Sequence, residues 1–262
     1  MNIFVRELRA GRKAFLFWLL GLFILCFVGI VKYESYTESG SMNELLAAFP
    51  RIVLAVMGVS GVDISTLAGY TTLLFYYILL CVVIYAVHLG ANAVGRESVD
   101  KTYEFLFAKP CSRARILGWK LASAYAFLLV FCACNAVFAL LASGTLNTSE
   151  EVSRLVALYS LAVFLIGAAF LALAALFAAA ARRPERGALW GNLAFLYAFV
   201  LGVVYNMLEH PGLLQLIAPF NYFAPADLVA GQFSLPYAGL TLALTAAFLW
   251  GAFASFQRKD LV

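Results

Sequence analysis

Six apolar runs without an interior charge leave this chain few ways to fold. They extend from Ala14 to Val31, Thr66 to Val94, Leu121 to Ala142, Leu155 to Ala181, Ala188 to Leu208 and Pro236 to Phe256, and they take up 138 of the 262 residues. Their lengths of 18, 29, 22, 27, 21 and 21 residues approach or exceed the roughly 20 that a helix needs to cross a hydrocarbon core. Inside such a core no water satisfies a backbone N–H or C=O, so only helices and closed barrels span it. A barrel would show segments of about 10 residues with alternating polarity, whereas these runs are apolar on all sides. Hydrophobic residues make up 64% and charged ones 12% of the chain, against about 25% charged in soluble domains. The expected fold class is all-α integral membrane, with six transmembrane helices in a single domain over residues 1–262.

Basic residues set the expected orientation. With the N-terminus inside, the inner segments hold Arg6, Arg9, Arg12 and Lys13, then Arg96, Lys101, Lys109, Arg113, Arg115 and Lys120, then Arg182, Arg183 and Arg186, and last Arg258 and Lys259. That is 15 of the 18, with only Lys32, Arg51 and Arg154 left outside, a strong positive-inside bias. Both termini of a multi-pass cell-membrane protein are therefore expected in the cytoplasm. Topology accounts for the net charge of +4 without a nucleic-acid partner.

The N-terminal stretch begins like a signal peptide, but its apolar run of 18 residues leads into Lys32-Tyr33-Glu34 rather than a small-residue cleavage site. It reads as a retained first span. Ahead of it, Phe4, Val5 and Leu8 alternate with Arg6, Glu7, Arg9, Arg12 and Lys13, the composition of a short amphipathic helix at the inner surface; a charged tail that only orients the span is the alternative. Asn43 to Val59 has helix-compatible apolar spacing and is expected along the outer interface. Glu209 to Leu235, punctuated by Pro211, Pro219 and Pro225 and carrying Phe220, Tyr222 and Phe223, fits short helices dipping into the outer leaflet.

Most catalytic chemistry is excluded by what the chain lacks. Its two histidines, His88 and His210, form no HExxH pair, and no GxxxxGKS/T sequence occurs, so the chain has no phosphate-binding P-loop of its own. Of the five cysteines, Cys26, Cys81, Cys132 and Cys134 fall inside spans and Cys111 outside them, with no CxxC; buried small hydrophobes are expected, neither a disulfide framework nor a metal site.

One organised polar segment remains, Arg96 to Lys120. Arg96, Glu97, Asp100, Lys101 and Glu104 continue the second span with spacings of three or four that permit helical ion pairs. Phe105-Leu106-Phe107 then presents an apolar patch, Pro110 ends the helix, and Ser112 is placed to cap a new one starting at Arg113. An apolar patch rimmed by charge has the composition of a docking knob; a basic loop that only sets topology has it equally.

Glu97, Asp100-Lys101-Thr102, Glu104-Phe105-Leu106, Pro110, Ser112-Arg113 and Lys120 resemble the first cytoplasmic loop of ABC-2 type ABC transporter permeases. That loop reads approximately E, then GT or KT, then E-x-L-L, P-x-S-R and K; Lys101 stands where many members have glycine. The six-span layout, the N-terminal amphipathic segment and the ending Phe256-Gln257-Arg258-Lys259-Asp260-Leu261 are also similar. The resemblance implies a transmembrane subunit in a prokaryotic cell membrane, pairing with a second copy or a paralogous permease and engaging two copies of a separate ATPase. ATP and magnesium would belong to that ATPase, with no cofactor in this chain. Glu97, Lys101, Thr102, Glu104, Phe105, Leu106, Pro110, Ser112 and Arg113 would form the coupling helix. Arg182, Arg183 and Arg186 would make a second cytoplasmic contact, unless that turn only sets topology.

Polar residues inside the spans are few: His88 and Asn92, four apart on one helical face, with Asn135, Asn192 and Asn206. Such groups line a pathway or hydrogen-bond between helices. The small residues Gly167, Ala168, Ala172, Ala175 and Ala179 offer a surface for close helix contact, within the subunit or across a dimer. Scarcity of charge favours a hydrophobic or amphipathic cargo, a lipid, peptide or drug, over an ion. A non-transporting membrane scaffold or immunity protein that recruits a partner through the loop is the rival reading.

Overall fold

The computed structural model describes residues 3–33, 48–59, 63–99, 111–144, 150–208 and 212–258, and among them there is no strand. Among the described residues six helices are long and apolar enough to cross a membrane: α1 (Ile3–Val31), α3 (Leu67–Val99), α4 (Arg113–Gly144), α5 (Glu150–Ala180), α6 (Gly187–Met207) and α8 (Leu235–Arg258). Two short α-helices also lie among the described residues, α2 (Arg51–Met57) and α7 (Pro225–Val229).

The helix ends follow local chemistry. Thr66 opens α3 by accepting the Gly69 N–H on its Oγ1 at 3.1 Å, which satisfies one of the donors that a helix start leaves without an intrahelical partner. Just before it, Asp63 Oδ1 accepts the Ser65 N–H at 2.9 Å and the Ser65 hydroxyl at 2.7 Å. Gly58, with φ 77°, closes α2 in a left-handed conformation that a side chain would disfavour.

In α1 the expected amphipathic segment and first span form one unbroken helix. Arg and Lys are good helix formers, and Gly11 rests against the Phe127 ring, where a Cβ would come within 2.7 Å of Cε2. Ile24–Val28 is a π-helical turn; its Cys26 is fully buried and its thiol points at the Asn135 carbonyl of α4, 3.8 Å away.

Helix α5 is the hub, packed against α3, α8, α4 and α6. In its most apolar 18-residue stretch 67% of residues are buried, against 17% in α1 and in α8. Small residues make this possible. A Cβ on Gly90 of α3 would collide with the Leu171 carbonyl oxygen, and one on Gly187 of α6 would strike Ala178. The alanine face of α5 is thus used inside the subunit, at Ala174 and Ala178 toward α3 and α6, while Gly167 meets Val82 and Leu128. Without side chains in the way the backbones approach closely, and dispersion contacts replace the hydrophobic drive that lipid does not supply.

The segment after α6 folds back as a wedge of short helices, Gly212–Ile217, Pro219–Asn221 and α7. Pro219 and Pro225 each stand at a helix start, where the missing N–H costs nothing. Phe220, Tyr222, Phe223 and Leu228 are buried. Tyr222 stacks on Tyr237 of α8 at 5.1 Å, and Phe223 on Phe233 at 4.8 Å. Between the wedge, α5, α6 and α8 lies an apolar recess of about 260 Å³ lined by Phe170, Leu173, Tyr197 and Tyr222.

Candidate functional site

The charged residues converge on one end of the bundle, where α1 begins, α3 finishes and α4 starts. Helix α1 is held there by Phe4, edge-on to Trp119 at 6.2 Å, and by Ile3, buried against Ile116. Glu7 lies 4.0 Å from the Arg96 guanidinium on α3 and 3.8 Å from Arg6. The turn between α5 and α6, with Pro184–Arg186 as a single 3₁₀ turn, packs on the same end of α3, where the Pro184 carbonyl would sit 3.0 Å from a Cβ on Gly95. Near the start of α4, Gly118 faces Phe253 of α8.

These elements leave a chamber of about 330 Å³ between α1, α3 and α4, within the usual range for small-molecule sites. Glu7, Arg96 and Lys120 stand at its rim; His88, Asn92 and Ser123 follow; Ala14, Tyr85 and Phe127 lie farthest along the three helices. Lys120 lines the chamber and is only 4% exposed. His88 and Asn92, both exposed to the chamber, are joined by the Asn92 amide donating to His88 Nε2 at 2.9 Å. Beyond Phe127, rings close the inner side: Phe15 on Phe127 at 5.2 Å, Trp18 on Tyr85 at 5.4 Å, and Tyr85 on Phe131 at 4.7 Å.

Ser112 caps α4 as its sequence position predicts, accepting the Arg115 N–H on Oγ at 3.3 Å. Arg113 is exposed in the first turn, and Glu97 falls in the last turn of α3. Lys101, Thr102, Glu104, Phe105, Leu106 and Pro110 lie outside the described residues. Arg182, Arg183 and Arg186 are exposed on the turn between α5 and α6.

A model of the ABC-2 family transporter proteins matches residues 1–261. The chain belongs to the ABC-2 transporter family. No curated protein matches it. Membership makes this six-helix chain the permease component of an ABC transporter, a membrane transport subunit, and implies a system with an ATPase partner.

The remaining polar residues of this ABC-2 permease divide by environment. Asn206 accepts the Asn221 amide at 2.6 Å and so ties α6 to the wedge. Asn192 is exposed on α6. Asn135 is buried in α4, and neither atom of its amide has a hydrogen-bond partner among the described residues. In the sequence Glu7 belongs to the amphipathic segment, Arg96 to the polar end of the second span and Lys120 to the loop that resembles the ABC-2 permeases; three helices bring them to one chamber. The available signal was the spacing His88, Asn92, Arg96, a stripe of three polar residues four apart on α3.

Proposed function

We propose that this permease exports a hydrophobic or amphipathic cargo, driven by two ATPase subunits that dock on the segment from Glu97 to Arg113 and on the arginine turn at 182–186. The observation that carries the reading is the gathering of charge at one end of the bundle: the start of α1, the end of α3, the start of α4 and the turn before α6. By the positive-inside rule this end is cytoplasmic, so both termini are inside and the docking surface faces the compartment that holds ATP. The chain has no P-loop, which leaves a partner as the source of chemical energy.

The two ends of the docking segment are rooted in long helices, α3 and α4. Closure of an ATPase pair around its nucleotide therefore moves helices that reach deep into the bundle, and the partner's ligand biases two arrangements of it. A second permease, identical or paralogous, completes the pair that two ATPases require.

Co-purification tests this. The full chain is expected to carry an ATPase subunit with it, and Glu104→Ala or Arg113→Glu is expected to weaken the association about tenfold or more, as loss of an interface anchor does, and to remove ATP-dependent activity. Failure of any ATPase to associate, or substitutions that leave ATP-dependent activity intact, would overturn the proposal.

A further inference from the structure

We infer that the recess between α6 and α8 takes one alkyl chain of a membrane amphiphile, which enters sideways from the bilayer and lies against α5 beside the wedge. The recess arises from how the three helices pack. Helices α6 and α8 both pack on α5 yet hardly touch each other, so a slot of about 260 Å³ is left between them, with α5 as its floor. Short side chains make the room, Ala169 on α5 and Ala194 and Ala198 on α6, while Phe170, Tyr222 and Phe248 form walls. Tyr197 stands at the mouth, 64% exposed.

Depth and polarity decide the occupant. Of the lining residues on the three helices, Thr241 stands closest to a helix end and is still six positions in from Leu235, about 9 Å of rise. The mouth therefore meets the hydrocarbon of the membrane rather than its headgroups. The Tyr222 hydroxyl donates to the Leu216 carbonyl at 2.6 Å and the Thr241 hydroxyl to the Tyr237 carbonyl at 2.7 Å, so neither donates into the recess. An apolar cavity of this kind stays dry and accepts apolar guests. One turn of a helix, about 10 Å across and 5.4 Å long, fills about 400 Å³, more than the recess holds; a helix of a second copy is too wide for it and a single hydrocarbon chain is not. Left empty, the recess forfeits dispersion contacts along its walls. A chain restores them without desolvation, because it exchanges one apolar surrounding for another. The bilayer presents alkyl chains in excess, and mass action fills the site even at modest affinity.

This assignment deepens the export reading, and the claim that the bound chain belongs to the cargo rests on that reading; occupancy itself needs no ATPase. Occupancy in a chain that associates with no ATPase sinks export alone. ATP-driven transport with an unoccupied recess sinks the chain site alone.

The test reconstitutes the full chain in phosphatidylcholine vesicles doped with a phosphatidylcholine that carries a photoactivatable diazirine midway along one acyl chain. Adducts are mapped by mass spectrometry after illumination. They are expected on the floor, at Ala169, Phe170 and Leu173, although Phe170 is only 4% exposed. Outward-facing Leu196 and Leu242 are labelled in any case and serve as the internal reference. Ala194→Phe, at a half-buried lining position of α6, puts a ring into the recess and should lower the floor adducts about tenfold against that reference, the scale of an overpacking penalty. Leu244→Trp fills the recess from α8 and should do the same, so the inference stays testable if one variant fails to fold. Adducts confined to outward-facing residues in the unaltered chain overturn the inference, including the case in which a second copy seals the mouth. A floor yield that a folded Ala194→Phe or Leu244→Trp leaves unchanged overturns it as well.

Discussion

At the end where α1 begins, Glu7, Arg96 and Lys120 surround a hollow; at the opposite end, Asn206, Gln215 and Asn221 are closed into hydrogen bonds beside stacked rings. There the Gln215 amide donates to the Asn221 carbonyl at 3.0 Å, Tyr237 donates to Gln215 Oε1 at 2.7 Å, and Tyr222 donates to the Leu216 carbonyl at 2.6 Å. The first end uses long side chains around open volume, with an ion pair at 4.0 Å. The second uses short amides and rings with little freedom left. Long side chains around a cavity can change partners, whereas a packed network holds one geometry. The hollow at the first end is thus lined by charged and amide side chains, whereas the wedge end keeps its polar groups in hydrogen bonds and leaves only an apolar recess of about 260 Å³ beside them.

The sharpest way to break this contrast is Tyr222→Ala. Removing a buried ring stacked on Tyr237 should cost about 3 kcal/mol or more, read as a lower unfolding temperature of the purified chain; a cost near zero would mean the wedge is not a fixed element. Asn206→Leu comes next. It removes the acceptor for the Asn221 amide and should cost on the order of 1 kcal/mol, the scale of interhelical hydrogen bonds in membranes. The smallest effect belongs to the other end. Glu7→Gln loses a wide ion pair with a partly exposed arginine, so stability should change by less than about 1 kcal/mol, and a larger loss would show that the chamber rim is structural after all.

The six spans were legible because an apolar run is a one-dimensional signal, and the start of α4 was legible because Ser112 carries its own capping chemistry. Small residues on the span from Leu155 were also legible as a contact face. Whose backbone they meet was not, since Gly90 and Gly187 announce a close approach without naming the partner helix. The wedge was legible as short helices from its prolines, but the Asn206 to Asn221 bond depends on how the chain doubles back. The chamber was the least legible part. Glu7, Arg96 and Lys120 are separated by 89 and 24 positions, and each belongs to a different segment of the sequence.

The Gly90 contact has a use as a measuring device. Where a single methyl group has no room, α3 and α5 cannot slide past each other without the Leu171 carbonyl meeting a neighbouring side chain. A pair of spectroscopic labels, one on each of these helices, should therefore keep a constant separation through a transport cycle. It would serve as an internal ruler against which displacements of α1, α4 and α8 can be read.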